Sequence, residues 1–285
     1  MKTIDPAQTP LRDLSGYLNG AIAPRPIAFA STVDAAGRVN LSPFSYFNVF
    51  GLNPVTLVFS PNNRARDNTP KHTLLNVQEV PEVVINLLDY SLVQQASLAS
   101  AEYPRGINEF VKAGFNETPS TRVRPPRVAE SPVSFECQVR QIVPVGEGPG
   151  AANLVICEAV LMHISETLLD ENGRIDSRKT DWVGRMGGEW YCRASGSAVF
   201  EVIRPNQRLG IGFDQLPETI RNSHILTGNE LAQLANVEAL PDPAAILAFS
   251  RENQNLPVHT DERHRQASRL LAEGNREKAW LMLLA

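Results

Sequence analysis

A succession of short apolar segments and turn residues between Pro24 and Asn76 constrains the fold of this chain more than any other sequence feature. The segment from Ile27 to Val33 ends at a turn, residues 34–37, whose final glycine can supply the positive φ that closes a β-hairpin. Residues 38–47 then form the antiparallel neighbour of the first strand. We expect a bend or bulge at Pro43 within this second strand, because proline cannot donate a hydrogen bond to a strand ladder.

Four further strands follow from similar patterns. The alternation of apolar and polar residues from Val133 to Val143 is typical of a half-buried antiparallel strand, and a glycine-rich turn at residues 146–150 joins it to a strand from Leu154 to Ile164. Shorter apolar strands are predicted for residues 55–60 and 82–88. Because closure into a barrel removes exposed strand edges, this order of strands and short helices favours a small β-barrel over an open sheet.

A basic loop lies between the third predicted strand and a predicted helix. It carries three cations, Arg64, Arg66 and Lys71. Thr69 is a suitable N-cap and Pro70 a suitable first helical residue, so Lys71 falls in the first turn, where the helix dipole disfavours a cation. An anion bound there, above all a phosphate, would be held by helix N–H groups and basic side chains. The alternative is a solvated loop whose cations are neutralised by Asp67 and by carboxylates elsewhere in the chain.

Charge and composition exclude several classes of function. The 285 residues carry a net charge of −4 and a hydrophobic content of 42%, so we expect a globular protein with no general attraction to nucleic acid or to anionic membranes. No apolar run approaches the roughly 18 residues that cross a bilayer, and the N-terminus lacks the apolar core of a signal peptide. We therefore predict a cytoplasmic protein.

The sequence lacks local motifs for metals, disulfides and nucleotide-binding loops. Its five histidines form no HxxxH or HExxH pair, so no metal site is predicted. The three cysteines, Cys137, Cys157 and Cys192, are widely spaced and odd in number, which predicts reduced thiols rather than a disulfide framework. Neither a GxGxxG motif nor a P-loop motif occurs, so a Rossmann or P-loop site has no support.

Two segments are each open to two interpretations. Residues 116–132 are rich in proline and arginine and predict an extended surface connection, in which Arg122, Arg124 and Arg127 form either a second basic patch or an ordinary solvated loop. Residues 181–193 combine aromatic side chains with glycines, a composition that suits a planar ligand approached closely by backbone. The same composition suits a surface turn with a hydrophobic anchor.

The last hundred residues predict helices. The stretch from Thr227 to Glu230 has the pattern of a capping box, and Thr260 is a candidate cap for a helix that Gly274 ends. Asn275 begins a final apolar turn. We expect this apolar end to be buried against the barrel or against a second subunit.

Several motifs together resemble those of a known family. The segment PRPIAFASTVDAAGRVNLSPFSYFNVFGLNP at residues 24–54, followed by KHTLLN and EVVINLL, resembles the flavin reductase-like proteins of the FMN-binding split-barrel superfamily. The similarity is to the longer members related to the flavin reductase component of nitrilotriacetate monooxygenase. It continues through PSTRVRPPRVAESPVSFECQV and DWVGRMGGEWY, and covers about residues 12–193.

The resemblance implies a fold, a domain division and a function. The fold is mainly β with α: a Greek-key antiparallel split barrel with short helices at residues 12–195, and a helical extension at residues 196–285 that packs on the barrel or the dimer partner. The implied activity is that of an NAD(P)H-dependent flavin reductase. A homodimer binds FMN, takes electrons from NADH or NADPH and passes reduced flavin or electrons to a partner monooxygenase component or another acceptor. The alternatives are a non-enzymatic FMN-binding electron carrier and a flavin-dependent oxidase or oxygenase acting on an organic substrate.

The resemblance also implies which residues bind the cofactor. Lys71 and Thr73 match the family's Lys-Asp-Thr motif, which holds the phosphate with Arg64 beside it, and His72 replaces the family's Asp. Ser31 and Thr32 would lie along the flavin. The isoalloxazine and ribityl chain would be lined through backbone amides and hydroxyls by Asn40, Leu41, Ser42, Pro43 and Ser45, with a pocket floor of Tyr46, Phe47 and Asn48. The later motif would contact flavin or nicotinamide through Arg185 and Tyr191. No catalytic acid–base residue and no metal ligand is implied.

Overall fold

The first two strands form the hairpin that the turn residues predict. In the computed structural model, which describes residues 1–205 and 209–285, strand β1 (Ala28–Val33) pairs antiparallel with β2 (Val39–Phe44). Gly37 adopts a φ of +79° in the turn. The buried Asp34 carboxylate accepts hydrogen bonds from the backbone N–H and the guanidinium of Arg38, so the turn is held at both ends.

The chain divides into two compact units, Met1–Phe200 and Glu201–Ala285. The remaining strands of the first unit are β3 (Phe47–Leu52), β4 (Val55–Phe59), β5 (Glu82–Asn86), β6 (Glu117–Thr118), β7 (Arg127–Val128), β8 (Val133–Val145), β9 (Ala152–Ile164), β10 (Trp182–Arg185) and β11 (Tyr191–Ala194). Its α-helices are α1 (Leu11–Ala21), α2 (His72–Glu79), α3 (Val93–Leu98) and α4 (Glu109–Ala113).

Seven of these strands form one antiparallel sheet that curls round on itself. Their order is β2-β1-β5-β8-β9-β4-β3, so β2 and β3 lie at opposite ends of the sheet. Only Ser45 and Tyr46 separate β2 from β3 along the chain, and two residues span little more than 10 Å even when fully extended. The two ends of the sheet must therefore meet, which confirms the predicted antiparallel barrel.

Two apolar clusters lie on opposite faces of β1, because successive side chains of a strand point to opposite faces. Ala28 and Ala30 belong to the barrel interior, to which β4, β5, β8, β9 and helix α2 also contribute. Phe29 packs with Leu41 in an outer layer beneath α3 and α4, where its ring meets that of Phe115 edge to face, with centroids 5.2 Å apart. The strand β1 is thus buried on both faces.

The expected bulge at Pro43 is wrong. The register between β1 and β2 runs unbroken from Val33–Val39 to Ala28–Phe44, with Pro43 opposite Phe29. β2 is an edge strand of the sheet, and an edge position tolerates proline because its missing N–H would face outward. The irregularity lies instead in β3, between Val49 and Gly51.

Residues 116–132 form the predicted extended connection, which contains only the two-residue strands β6 and β7. A buried carboxylate holds it to the barrel. Glu136 of β8 accepts hydrogen bonds from the backbone N–H groups of Thr121 and Arg122, at 2.8 and 2.5 Å. The Arg122 guanidinium donates to the Val160 carbonyl oxygen, so this side chain is engaged with the barrel.

The second unit is helical, as predicted. It contains α5 (Glu218–Arg221), α6 (Gly228–Ala235), α7 (Pro243–Glu252), α8 (Thr260–Ala272) and α9 (Arg276–Leu284), which bury a core around Leu234, Ala267 and Trp280. Within residues 1–205 and 209–285, none of the helices has the length and apolar character that a bilayer crossing requires.

Candidate functional site

The basic loop reaches helix α2 two residues later than the sequence predicts. The predicted N-cap at Thr69 is wrong: α2 begins at His72, and Lys71 occupies the N-cap position. The Thr69 hydroxyl instead donates to the Asp67 carboxylate, which also accepts from the Thr69 backbone N–H. These two bonds lower the pKa of Asp67 to about 2. Among the described residues the N-cap side chain makes no capping hydrogen bond to α2, so the first N–H groups of the helix lack the side-chain acceptor that a cap supplies.

Three cations of the loop converge on one carboxylate, that of Glu102 on the connection between α3 and α4. The Arg64 Nε atom donates to Glu102 Oε1 at 3.0 Å, and the Arg66 Nη2 atom donates to Oε2 at 2.9 Å. The Lys71 Nζ atom lies 3.7 Å from Oε1. Burial raises the pKa of Glu102, but the Arg64 hydrogen bond and the neighbouring positive charges outweigh it and hold the pKa below its ordinary value.

The backbone of the loop fixes Arg64 independently of Glu102. Its Nη1 atom donates to the Thr69 hydroxyl at 3.1 Å and to the Pro70 carbonyl oxygen at 2.6 Å. Only 13% of the Arg64 side chain is exposed, against 40% for Glu102. The loop therefore holds the Arg64 guanidinium in place, whereas the Glu102 carboxylate opposite it is partly solvated.

The cations at the start of α2 repel one another. Burial and the charge of Arg64 lower the pKa of Lys71 below that of an ordinary lysine, although Glu102 raises it. Burial, followed by the charges of Arg64, Arg105 and Lys71, lowers the pKa of His72. Burial is the largest cause of both shifts, and the neighbouring positive charges act in the same direction.

Buried polar contacts join α2 to the first hairpin. The Asn40 side-chain amide donates to the Thr73 hydroxyl at 3.0 Å, and the Asn76 amide donates to the Thr32 hydroxyl at 3.2 Å. Thr73, predicted to bind phosphate, thus lies directly beside Asn40 of β2. Strand alternation places Ser31 on the opposite face from Thr32, and the buried Ser31 Oγ atom has no hydrogen-bond partner among the described residues.

Two of the predicted cofactor-binding residues of β2, Leu41 and Pro43, have no free backbone donor. The Leu41 side chain is buried in the outer apolar layer, and its N–H donates to the buried Glu109 carboxylate at 2.9 Å. Pro43 has no N–H. Ser42 and Pro43 are half-buried and Asn48 is exposed, while Phe47 packs against the barrel interior.

A buried arginine that the sequence analysis did not select organises the far end of β2. Arg25 is 7% exposed, and its guanidinium donates to the Ser45 hydroxyl and to the carbonyl oxygens of Asn19, Ile22 and Met186. Its backbone also pairs with that of Arg185, which lies beside the turn of the last hairpin. A charged residue between two prolines, just before a buried strand, was the available sequence signal.

Residues 181–193 form the hairpin β10–β11. The Arg185 guanidinium carbon lies 4.6 Å from the centre of the Tyr191 ring, and Arg185 also donates to the Gly188 carbonyl oxygen. Tyr46, at the link between β2 and β3, donates to the Asn19 side chain. Two groups of predicted residues therefore lie at the two ends of β2. At one end, Asn40 contacts Thr73, which follows the basic loop. At the other end, Arg25 contacts the Ser45 hydroxyl and pairs with the backbone of Arg185, which stacks on Tyr191.

Comparison with known proteins places this site in a family context. The flavin reductase like domain model matches residues 21–179. Nitrilotriacetate monooxygenase component B from Bacillus cereus is 29% identical, with a TM-score of 0.66 over 71% of this chain and 98% of that one. The 2-nitrobenzoate 2-nitroreductase NbaA from Pseudomonas fluorescens is 27% identical, with a TM-score of 0.64 over 74% of this chain and 100% of that one.

A third structure bears on the fold alone. A protein with a split barrel domain from Shewanella frigidimarina NCIMB 400 is 22% identical, with a TM-score of 0.59 over 70% of this chain and 95% of that one. Together with the strand order, these similarities identify the barrel of the first unit as a split barrel.

Proposed function

Because the chain belongs to the flavin reductase-like domain family, we propose that it binds FMN along β2 and reduces it with NADH or NADPH. Family membership makes the chain a flavin-related oxidoreductase. The choice of FMN, the nicotinamide donor and the acceptor are the parts that we add. A monooxygenase component among the structural neighbours supports a partner oxygenase as the acceptor.

The observation that carries the proposal is the anion that the basic loop already holds. The Glu102 carboxylate lies within 4 Å of three cations, one of which, Lys71, is the N-cap residue of α2 and makes no side-chain cap among the described residues. A carboxylate and a phosphate use the same donors, guanidinium groups, an ammonium group and helix N–H groups. The residues present therefore fit the phosphate of FMN, with Arg64 and Lys71 as the groups that would hold it.

The chain's own residues would bind and orient the reactants. A flavin bound there would supply the redox chemistry, that of a hydride acceptor. Thr73 and Asn40 would orient the phosphate end along β2, while Arg25 holds Ser45 and the β10–β11 hairpin in place at the other end. The stacked Arg185 and Tyr191 would offer a flat surface to a planar ring. Hydride transfer depends on proximity, so no acid–base residue is needed.

We also propose that the protein is a cytoplasmic homodimer. Strand β3 exposes a group of large apolar side chains, with Phe50 70% and Leu52 84% exposed and Val49 beside them. Apolar groups of this kind on a strand are typical of an interaction surface. The three free cysteines support a reducing compartment.

The direct test is anaerobic reduction of the FMN-loaded protein. On addition of NADH or NADPH we expect rapid bleaching of the flavin absorbance at ~450 nm, because the proposed reductase transfers a hydride from the nicotinamide to the flavin. Dithionite, which reduces any accessible flavin, is the control. Bleaching by dithionite but by neither nucleotide would reject the reductase and favour a non-enzymatic electron carrier.

The nitroreductase among the structural neighbours supports a second candidate, in which the reduced protein transfers electrons to an aromatic nitro compound. The acceptor distinguishes the two. The rate of reoxidation of the reduced holoprotein is measured with 2-nitrobenzoate and, separately, with free FMN as the electron acceptor. A higher rate with 2-nitrobenzoate favours the second candidate. A flavin-dependent oxidase or oxygenase would instead require dioxygen together with an organic substrate.

A further inference from the structure

Glu102 reaches the basic loop from another part of the chain. It follows α3, whereas Arg64 lies 38 residues earlier, before α2. Within the described part of the chain, the side-chain contacts of Glu102 are with loop cations: Arg64, Arg66 and Lys71. This carboxylate therefore occupies the place in which a bound anion would meet the same donors.

The contacts of Glu102 can be broken without dismantling the loop. Ion pairs of this kind contribute little net stability, because water competes for the Glu102 carboxylate, whose side chain is 40% exposed. Arg64 keeps its bonds to Thr69 and Pro70, and Asp67 keeps its bonds to Thr69 and Arg66, when the carboxylate leaves. The cations are thus held in position by the loop itself, and Glu102 is a ligand of the site rather than its support.

Charge balance favours exchange of Glu102 for a phosphate monoester. Arg64, Arg66 and Lys71 face Asp67 and Glu102, which leaves one positive charge in excess. Without Glu102 the excess is two. A phosphate monoester carries a charge of about −1.5 to −2 at neutral pH. It therefore balances the two excess positive charges that are left when Glu102 no longer contacts the loop.

We propose that Glu102 is a built-in competitor for the phosphate subsite, displaced when the FMN phosphate binds, and that it sets the preference of the site between FMN and riboflavin. This inference rests on the proposed function. Riboflavin has no phosphate and does not compete with the carboxylate, so its affinity is independent of Glu102. FMN must break three ion pairs before it gains its own, and this lowers its affinity.

The test compares Glu102→Gln with a matched control, Glu79→Gln. Glu79 accepts a hydrogen bond from Arg105, which lies on the same connection as Glu102, but it has no contact with the three loop cations in the structure. Both variants remove one negative charge. Dissociation constants for FMN and riboflavin are measured by quenching of flavin fluorescence, and inorganic phosphate serves as a competitor.

We expect Glu102→Gln to bind FMN about three- to tenfold more tightly, as the loss of weak competing ion pairs implies. Riboflavin affinity should stay unchanged, and inorganic phosphate should compete at lower concentration. Glu102→Ala should have the same effect as Glu102→Gln. Lys71→Ala should weaken the binding of FMN but not that of riboflavin. The control, Glu79→Gln, should leave both dissociation constants unchanged.

The outcomes separate the two proposals. If the wild-type protein binds FMN but Glu102→Gln binds it equally well or more weakly, Glu102 is not a competitor and this inference is overturned. If tighter binding appears for riboflavin as well, the effect does not come from the phosphate subsite and the inference is again overturned. If the wild-type protein binds no FMN, the proposed function itself fails.

Discussion

Two buried charged side chains, Arg25 and Glu109, hold strand β2 and its continuation from different sides. Arg25 bonds to the Ser45 hydroxyl just beyond the strand, and Glu109 accepts the N–H of Leu41 within it. Neither residue has an ion-pair partner in the structure's described part, and burial lowers the pKa of Arg25 and raises that of Glu109. Both make hydrogen bonds to the backbone, which indicates that they position the site rather than react in it.

Glu109 yields a prediction about the pH dependence of stability. A carboxyl group whose pKa is higher in the folded than in the unfolded protein makes folding less favourable as the pH rises from its unfolded pKa through its folded pKa. Glu109→Gln keeps an acceptor for the Leu41 N–H and removes the charge. In urea unfolding at about pH 8, the Glu109→Gln protein should therefore have a higher free energy of unfolding than the wild type. The difference between the two proteins should shrink as the pH is lowered to about 4.

Glu109→Ala is the matched variant for this prediction. It leaves the buried Leu41 N–H without its acceptor, which should lower the free energy of unfolding by about 1–3 kcal/mol. A Glu109→Gln protein that is less stable than the wild type at alkaline pH would show that the charge of Glu109 is stabilising, contrary to the raised pKa.

Among the elements, helix starts show where sequence patterns and structure agree. The predicted capping box at α6 is confirmed: the Thr227 hydroxyl accepts from the Glu230 N–H, and the Glu230 carboxylate accepts from the Thr227 N–H. The start of α8 differs, because His259 is the N-cap and Thr260 is already helical, with no side-chain cap. In α6 the third residue after the threonine reciprocates the bond, whereas in α8 it is Arg263, which cannot accept one.

The two threonines form a matched pair for mutation. Thr227→Ala should lower the stability of the second unit by about 1 kcal/mol, because the N-terminal N–H groups of α6 lose an acceptor. Thr260→Ala should have little effect, since its side chain caps nothing. Hydrogen exchange of the α6 amides measures both, and equal destabilisation by the two variants would contradict the assignment.

At the scale of the whole molecule, the exposed face of β3 requires an explanation. An edge strand with large apolar side chains invites association, and Phe50 and Leu52 are among the most exposed apolar side chains of the first unit. The proposed homodimer would cover them. The division at residue 195 and the packing of the helical extension stay predictions.

Phe50→Glu should convert the proposed dimer into a monomer, because a carboxylate in an apolar interface loses its hydration without gaining a partner. Size-exclusion chromatography with light scattering measures the mass. Val111→Glu, which places the same charge at an exposed apolar position of α4, is the control and should leave the mass unchanged. A wild-type protein that is monomeric at all concentrations would reject the homodimer.

Local chemistry made much of the molecule predictable from its sequence. The β1–β2 and β8–β9 hairpins, the glycine turns, the helical second unit and the position of the basic loop all follow from side-chain periodicity and turn residues that act within a few positions. The regular pairing at Pro43 could not be predicted in this way, because the effect of a proline on a strand depends on whether the strand lies at the edge of the sheet.

The site's contacts needed the tertiary structure. Glu102 meets Arg64 across 38 residues, and Arg25 meets the Met186 carbonyl across 161. No periodicity in a sequence records such pairs, because they exist only once the barrel has closed and brought distant loops to the same end. The sequence by itself determined that a cationic loop precedes a helix, and it left open whether a bound anion or carboxylates of the chain would neutralise it. The folded chain decided which distant carboxylate, Glu102, meets the three cations.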